Sequence, residues 1–288
     1  MDLRIVICAL VLVGLPLLAP AGERVRVLVG GEVRSVPLER YVDSAVASET
    51  YASWPREALK AQAVVARTYA LHERERRRKE RYDLESSVLS QRFGVTAPAS
   101  SVREAVRETR GQYLSYGKQP ILAVFHASAG GRTASAEEVW GQAVPYLRSV
   151  DSPDEEAPDH FWHYQIAGGD LIDALGEAGV QSPGYQLGEI GRTGSGRVAF
   201  VELGGTRLTG RDLRKILGGR AIRSALFEVR EERGSVTFFG SGAGHGVGLS
   251  QWGARELARQ RQSYRQILAH YYPGTQLLDA SGMRSAKR

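Results

Sequence analysis

Leu38-Glu39-Arg40-Tyr41-Val42-Asp43-Ser44-Ala45-Val46-Ala47-Ser48-Glu49 is the stretch that decides how this chain is read. Its larger apolar residues fall at Leu38, Tyr41, Val42, Ala45 and Val46, the i, i+3, i+4, i+7, i+8 stripe of a core-facing helix. The next place on that stripe holds a carboxylate, Glu49. Burial among apolar neighbours disfavours the ionised form and raises a glutamate pKa. The helix is predicted to end near Ser53-Trp54-Pro55, so Glu49 also lies near the negative end of the helix dipole, which pushes the same way. A glutamate that keeps its proton near neutrality suits general-acid cleavage of a glycosidic bond. The competing reading is a ragged helix end whose carboxylate is exposed or paired with an arginine.

Upstream, Arg24 to Val29 alternates as a strand, and Gly30-Gly31 turns it into Glu32 to Val36. Downstream, a longer helix is predicted from Pro55, capped by Ser53, with Leu59, Ala63, Ala66 and Ala70 on its buried side. Gln62 and Arg67 are polar groups in this alanine-rich segment, and buried polar groups must find partners, either Glu49 or a ligand. A structural salt bridge is the alternative for Arg67.

The pattern then predicts a short helix from Ser100 or Ser101 to Thr109. A hairpin of Gln112–Tyr116 with Ile121–His126 follows, and Asp151–Asp159 reads as an exposed acidic loop. Further elements are a small helix over Asp170–Gly179, strands at Arg197–Leu203 and Thr206–Leu208, and a helix over Asp212–Leu217 capped by Thr209. Strands at Leu226–Arg230 and Ser235–Phe239 precede helices starting near Ser250 and Ser263. Helices and hairpins mix without regular strand–helix alternation. The class is therefore α+β, with mixed helices and antiparallel hairpins around a groove, one main domain and a smaller inserted or appended subdomain.

Residues 1–21 read as a signal peptide: Arg4, an apolar run from Ile5 to Leu18, then Ala19-Pro20-Ala21. The run is shorter than the roughly 20 apolar residues that span a bilayer. No stable membrane span is expected unless that signal stays uncleaved. Residues 22–278 form the folded part and 279–288 a disordered tail. The lone cysteine, Cys8, lies in the signal segment, so the mature chain has no thiol for disulfides or thiolate zinc sites. A net charge of +6 suits an exported protein meeting an anionic wall, in the periplasm or on the wall side of the cytoplasmic membrane. Nucleic acid is not expected as a partner, because the basic run Arg74–Arg81 is interleaved with acids and reads as a solvated helix end.

The segment Gly240-Ser241-Gly242-Ala243-Gly244-His245-Gly246-Val247-Gly248-Leu249-Ser250-Gln251-Trp252-Gly253 has five glycines in its first nine residues. It lacks the G-x-G-x-x-G spacing and the terminal Lys-Ser/Thr of nucleotide loops. His245, Ser250, Gln251 and Trp252 presented together read as a polar, aromatic floor for a sugar, or His245 makes a purely structural hydrogen bond. No G-x-S-x-G elbow or H-E-x-x-H pair is present, which argues against serine and zinc hydrolases. Asp159-His160-Phe161-Trp162-His163-Tyr164 reads as an aromatic patch in preference to a metal site.

Together, Ala47-Ser48-Glu49, Ser53-Trp54-Pro55 and Glu57 to Ala70 closely resemble the signature of the stage II sporulation protein D family, which includes the amidase enhancer LytB. Phe125 to Gly131, Trp140-Gly141, Pro145-Tyr146-Leu147 and Gly242 to Gly253 resemble its later motifs in order. The resemblance implies a lytic transglycosylase acting on peptidoglycan glycan strands stripped of stem peptides. Glu49 would be the general acid/base, and 1,6-anhydro-muramic ends would form. It implies that Arg67, Tyr69, His245, Ser250 and Gln251 line the sugar groove, to which Gln62 is added as a substrate-binding candidate. The muramic C6 hydroxyl attacks its own anomeric carbon, so one carboxylate suffices where ordinary glycosidases employ two. The alternative is a non-catalytic glycan binder that activates a cell-wall amidase. No cofactor is implied. Some relatives hold zinc near the position of His126 with cysteines that this chain lacks, so no metal is expected.

Overall fold

The computed structural model describes residues 23–85 and 98–279; the predicted signal segment and the tail beyond Asp279 lie outside them. The fold is α+β. Strand β1 (Arg24–Val29) and β2 (Glu32–Pro37) form the predicted hairpin, and Gly30 and Gly31 both take positive φ in its two-residue turn. Strand β3 (Leu84–Glu85) adds to β1 in parallel. Helix α1 spans Leu38–Glu49 as its periodicity demands, burying Leu38, Val42 and Val46.

Helix α2 (Arg56–Arg76) is the centre of the main body. It begins one residue after Pro55, and Ser53 does not cap it; Pro55 occupies the cap position with no side-chain bond. Its burial is not one-sided as predicted, because Ala58, Ala61, Val64 and Val65 are buried along with Leu59, Ala63, Ala66 and Ala70. Small alanines on every side let α1, α3 (Ser100–Glu108) and the C-terminal helices α7 (Gln251–Arg259) and α8 (Tyr264–Tyr271) approach closely. An added side chain such as Ala63→Leu would overpack this contact by about 1–3 kcal/mol.

Strand β4 (Gln112–Tyr116) pairs with β14 (Gln276–Asp279) and with only two residues, β5 (Gln119–Pro120). The predicted return arm Ile121–His126 is therefore corrected. Pro120 has no N–H to continue the ladder, and Phe125–His126 (β6) instead pairs in parallel with Leu249–Ser250 (β13). That pairing joins two segments more than a hundred residues apart.

Between those two segments the chain leaves the main body and builds a subdomain with its own core, which includes Leu171, Leu175, Val201, Leu203, Leu213, Val236 and Phe238. Two antiparallel three-stranded sheets form it. One has the order β10 (Thr206–Leu208), β9 (Val198–Leu203), β8 (Leu187–Arg192); the other β11 (Phe227–Glu232), β12 (Ser235–Gly240), β7 (Trp162–Ala167). Helices α5 (Gly168–Glu177) and α6 (Gly210–Leu217) accompany them, the latter capped by Thr209 as predicted, while the short α4 (Ala136–Trp140) lies on the main body.

Asp151–Asp159 is not the exposed loop its composition suggests. Ser152, Asp154 and Ala157 are buried, with Asp154 1% exposed. A lone carboxylate in an acidic, proline-bearing run reads as solvated, but one that collects backbone and hydroxyl donors can be buried.

Candidate functional site

Glu49 is the last residue of α1 and is partly buried. The chain turns away there: Thr50 donates its N–H and its hydroxyl to the Val46 carbonyl, at 3.0 and 2.8 Å. Tyr51 and Trp54 follow, and Trp252 on α7 meets both, with ring centroids 6.4 Å and 5.3 Å away. Trp54 is the buried base of this cluster and Tyr51, 62% exposed, its rim. Three aromatic rings thus gather just beyond the end of α1, where Glu49 lies.

Burial raises the Glu49 pKa, and the smaller opposing effect is the neighbouring Gln251 amide, the first residue of α7. The Gln251 Nε2 is buried and makes no hydrogen bond of ordinary length and angle, so it holds the carboxyl loosely. Two helix ends of opposite partial charge meet here, the C-terminus of α1 and the N-terminus of α7; their dipoles oppose, and burial decides the direction. Among the described residues Glu49 has no ion pair, and no second carboxylate contributes to its shift.

The glycine-rich segment is a ribbon threaded between the residues around His126 and the inserted subdomain. Gly246 and Gly248 show why it needs glycine. Both have positive φ, and a Cβ would lie 2.4 Å from the Arg197 guanidinium at the first and 2.2 Å from the Val124 carbonyl oxygen at the second. The ribbon ends in Ser250, whose hydroxyl accepts from the Gly253 N–H to cap α7 and donates to Asp154 at 2.8 Å. Asp154 also accepts from the N–H groups of Ala129 and Gly131 and from the Ser152 hydroxyl. This buried carboxylate ties the loop after β6, the 151–159 segment and the start of α7 together, and so positions Gln251 and Trp252 beside Glu49. Sequence reading passed it over; the signal was an aspartate between Ser152-Pro153 and Glu155, with nothing local to mark it as buried.

The other predicted residues are placed as follows. Arg67 is fully buried and does not reach the Glu49 cluster. Its Nε and Nη2 donate to both Glu39 carboxylate oxygens at 2.9 and 2.7 Å, and Nη1 donates to the Gln112 carbonyl at 3.1 Å. It rivets α2 to α1 and β4, so its expected place in the groove is corrected to a structural one. Ser250, with no exposed surface, is corrected likewise: capping and the bond to Asp154 occupy its hydroxyl. Gln62 is buried with neither amide atom bonded, and Tyr69 is partly buried, burial raising its pKa with smaller effects from Glu73, Arg76, Arg77 and Glu85. His245 accepts from the Val247 N–H at Nδ1 and donates from Nε2 to the Phe125 carbonyl. Burial brings its pKa down to about 4, so the ring is neutral at physiological pH. Its ring lies 5.7 Å from that of Trp140, tilted by 47°. Among the described residues no three His, Cys, Asp or Glu side chains converge as a metal site requires.

A cavity of about 630 Å³ lies at the β7–β12–β11 sheet of the inserted subdomain, beside Phe161, His163 and Phe239. Its one carboxylate, Glu228, is paired with Arg192 at 2.7 Å, so it offers no free acid. The aromatic patch expected over 159–164 is present in part: Phe161 is 80% exposed, while Trp162 is buried and donates to the Gly242 carbonyl.

Comparison with known proteins decides the family. A family profile described as "Stage II sporulation protein" matches residues 30–116, the stretch that carries Glu49. The chain is 36% identical to the stage II sporulation protein D of Bacillus amyloliquefaciens, over 88% of this chain and 77% of that one. The chain belongs to the stage II sporulation protein D family. It is 34% identical to the protein of the same name from Bacillus subtilis strain 168, over 86% of this chain and 76% of the other. A protein named "Amidase enhancer" from the same organism is 27% identical over 81% of this chain, which spans 39% of that longer relative. Within the family assignment, the Glu49–Gln251–Trp252 junction brings together residues from the first and last of the motifs quoted above, about two hundred positions apart.

Proposed function

We propose that this protein is an exported lytic transglycosylase of bacterial cell-wall glycan, cutting the bond between N-acetylmuramic acid and N-acetylglucosamine in peptide-stripped strands. The observation that carries this reading is a single glutamate, half-buried and pushed towards its protonated form, next along the chain to an aromatic cluster, with no second carboxylate among the described residues contributing to its shift. Two-carboxylate glycosidases keep their pair about 5–9.5 Å apart, close enough for each charge to perturb the other. Here the partner is an amide. A lone acid is sufficient when the nucleophile belongs to the substrate. Protonated Glu49 donates to the bridging oxygen, the glycosidic C–O bond breaks, and the muramic C6 hydroxyl closes on the anomeric carbon while Glu49 takes back its proton. The apolar C–H faces of sugar rings suit the π faces of Tyr51 and Trp252.

Digestion of stripped glycan strands followed by mass spectrometry tests the reading. Anhydro-muramic ends are expected from the wild type, and Glu49→Gln should lower their formation by about 10²–10⁴-fold. Release of reducing ends alone would replace transglycosylation with hydrolysis. The relative named "Amidase enhancer" supports a second reading, a glycan binder that stimulates a wall amidase. Under it the purified protein cuts nothing, and Glu49→Gln leaves the stimulation intact.

A further inference from the structure

Three guanidinium groups face one cavity of about 290 Å³ between the main body and the inserted subdomain, and among the described residues none of them makes a salt bridge to a carboxylate. Arg197 comes just before β9, and Arg211 and Arg214 lie three residues apart on α6. Three arginines elsewhere in this subdomain are paired: Arg192 with Glu228, Arg207 with Glu189 and Glu202, Arg223 with Asp159. The two acids lining the cavity are otherwise engaged. Glu138 accepts from the N–H groups of Ser195 and Ser135, and Asp212 accepts from the Thr209 hydroxyl. Three positive charges therefore stand against two negative ones.

Arg197 is 3% exposed. It donates to the Ser195 hydroxyl at 3.1 Å and the Ala129 carbonyl at 2.9 Å, yet its Nε has no partner. Burial pulls its pKa down to about 10, which still leaves it charged at neutrality. Gly246 is the residue that admits this side chain, since any Cβ there would strike the guanidinium. Beside the cations, Trp140 is 37% exposed with its ring 5.7 Å from that of His245. A planar guanidinium fork matches a carboxylate, and an exposed indole matches the C–H face of a pyranose. The volume lies at the lower end of small-molecule sites, room for about one sugar ring and not for a strand.

We propose that this cavity is a subsite for the carboxylate of an acidic amino sugar, the lactyl group of an N-acetylmuramic acid unit, with its ring against Trp140. The proposal rests on the glycan reading above and adds a reason for strand preference. A stem peptide converts that carboxylate to an amide and removes the charge the arginines select, so stripped strands bind and substituted ones do not.

Ligand-observed NMR titration tests this without turnover, using N-acetylmuramic acid, its methyl ester, N-acetylglucosamine and inorganic phosphate. The acid should bind about tenfold or more tightly than its ester or N-acetylglucosamine, as expected for a charged hydrogen bond. Arg211→Gln with Arg214→Gln should abolish the preference, and Arg211→Gln alone, on an exposed position, should weaken it if the double variant does not fold. Equal binding of acid and ester, or a preference unchanged in the folded variant, overturns the subsite. Phosphate competing as well as the sugar acid overturns its assignment to a sugar. Glu49→Gln should retain the preference, so failure of the cleavage reading and failure of this one are told apart.

Discussion

Replacing Asp154 tests whether one buried carboxylate holds the site together. Asp154→Ala strands the N–H groups of Ala129 and Gly131 and the Ser250 hydroxyl, while Ser152 keeps its bond to the Tyr271 hydroxyl at 2.9 Å. A buried donor left unsatisfied costs about 1–3 kcal/mol, and the hydroxyl can rotate to a new acceptor more readily than a backbone amide can. The two amides and the weakened α7 cap therefore come to about 3–5 kcal/mol, a large part of a typical folding free energy of about 5–15 kcal/mol. At this chain length, that corresponds to a fall in Tm of about 10 °C. Asp154→Asn divides the effect. Its oxygen can serve the Ala129 and Ser250 donors, but its amide nitrogen then faces the Gly131 N–H, and the loss is about 1–3 kcal/mol. Urea unfolding of both variants, with Ser250→Ala to close a double-mutant cycle, measures this. A loss under about 1 kcal/mol for Asp154→Ala, or no coupling to Ser250, would refute the hub.

Arg67→Met should destabilise by about 3–5 kcal/mol, since Glu39 would be left unpaired, and much of that should return in Arg67→Met with Glu39→Leu. Chemical denaturation reads this, and a folded single variant that loses only glycan affinity would restore Arg67 to the groove. Gln251→Leu removes the amide that lowers the Glu49 pKa, so the alkaline limb of the kcat/KM–pH profile should move to higher pH. A limb that stays in place, or falls, would mean that the Gln251 amide does not hold this pKa down. His245, with a folded pKa of about 4 against about 6.5 unfolded, binds fewer protons when folded. Its contribution to stability is complete above about pH 6.5 and is lost as pH falls towards 4, on the order of 3 kcal/mol. NMR titration showing a His245 pKa near 6.5 would contradict its burial.

Local pattern was a reliable guide wherever one element's own spacing set the outcome. The β1–β2 hairpin, the start and buried stripe of α1, the cap at Thr209 and the helices after Ser250 and Ser263 are all where periodicity and turn chemistry put them, while α1 stops at Glu49, short of the predicted end near Ser53-Trp54-Pro55. It failed where a partner distant in sequence supplied the reason. Strand β8 carries Gly188 and Gly191, which break the alternation, and the space above Gly191 is filled by the Phe200 ring from β9. Strand β14 exists because β4 is there to pair with it, and β6 left its hairpin because Pro120 ended one ladder and Leu249 offered another.

The sequence alone determined the family, the α+β class and the identity of Glu49 as the acid to watch, because a carboxylate on an otherwise apolar stripe is visible within twelve consecutive residues. Only the tertiary structure decided what surrounds it. Whether a buried polar side chain reaches a ligand or another side chain depends on which groups lie within hydrogen-bonding distance, and those come from anywhere in the chain. That is why Arg67 turned to Glu39 and Ser250 to Asp154, while Gln251 came to rest against Glu49.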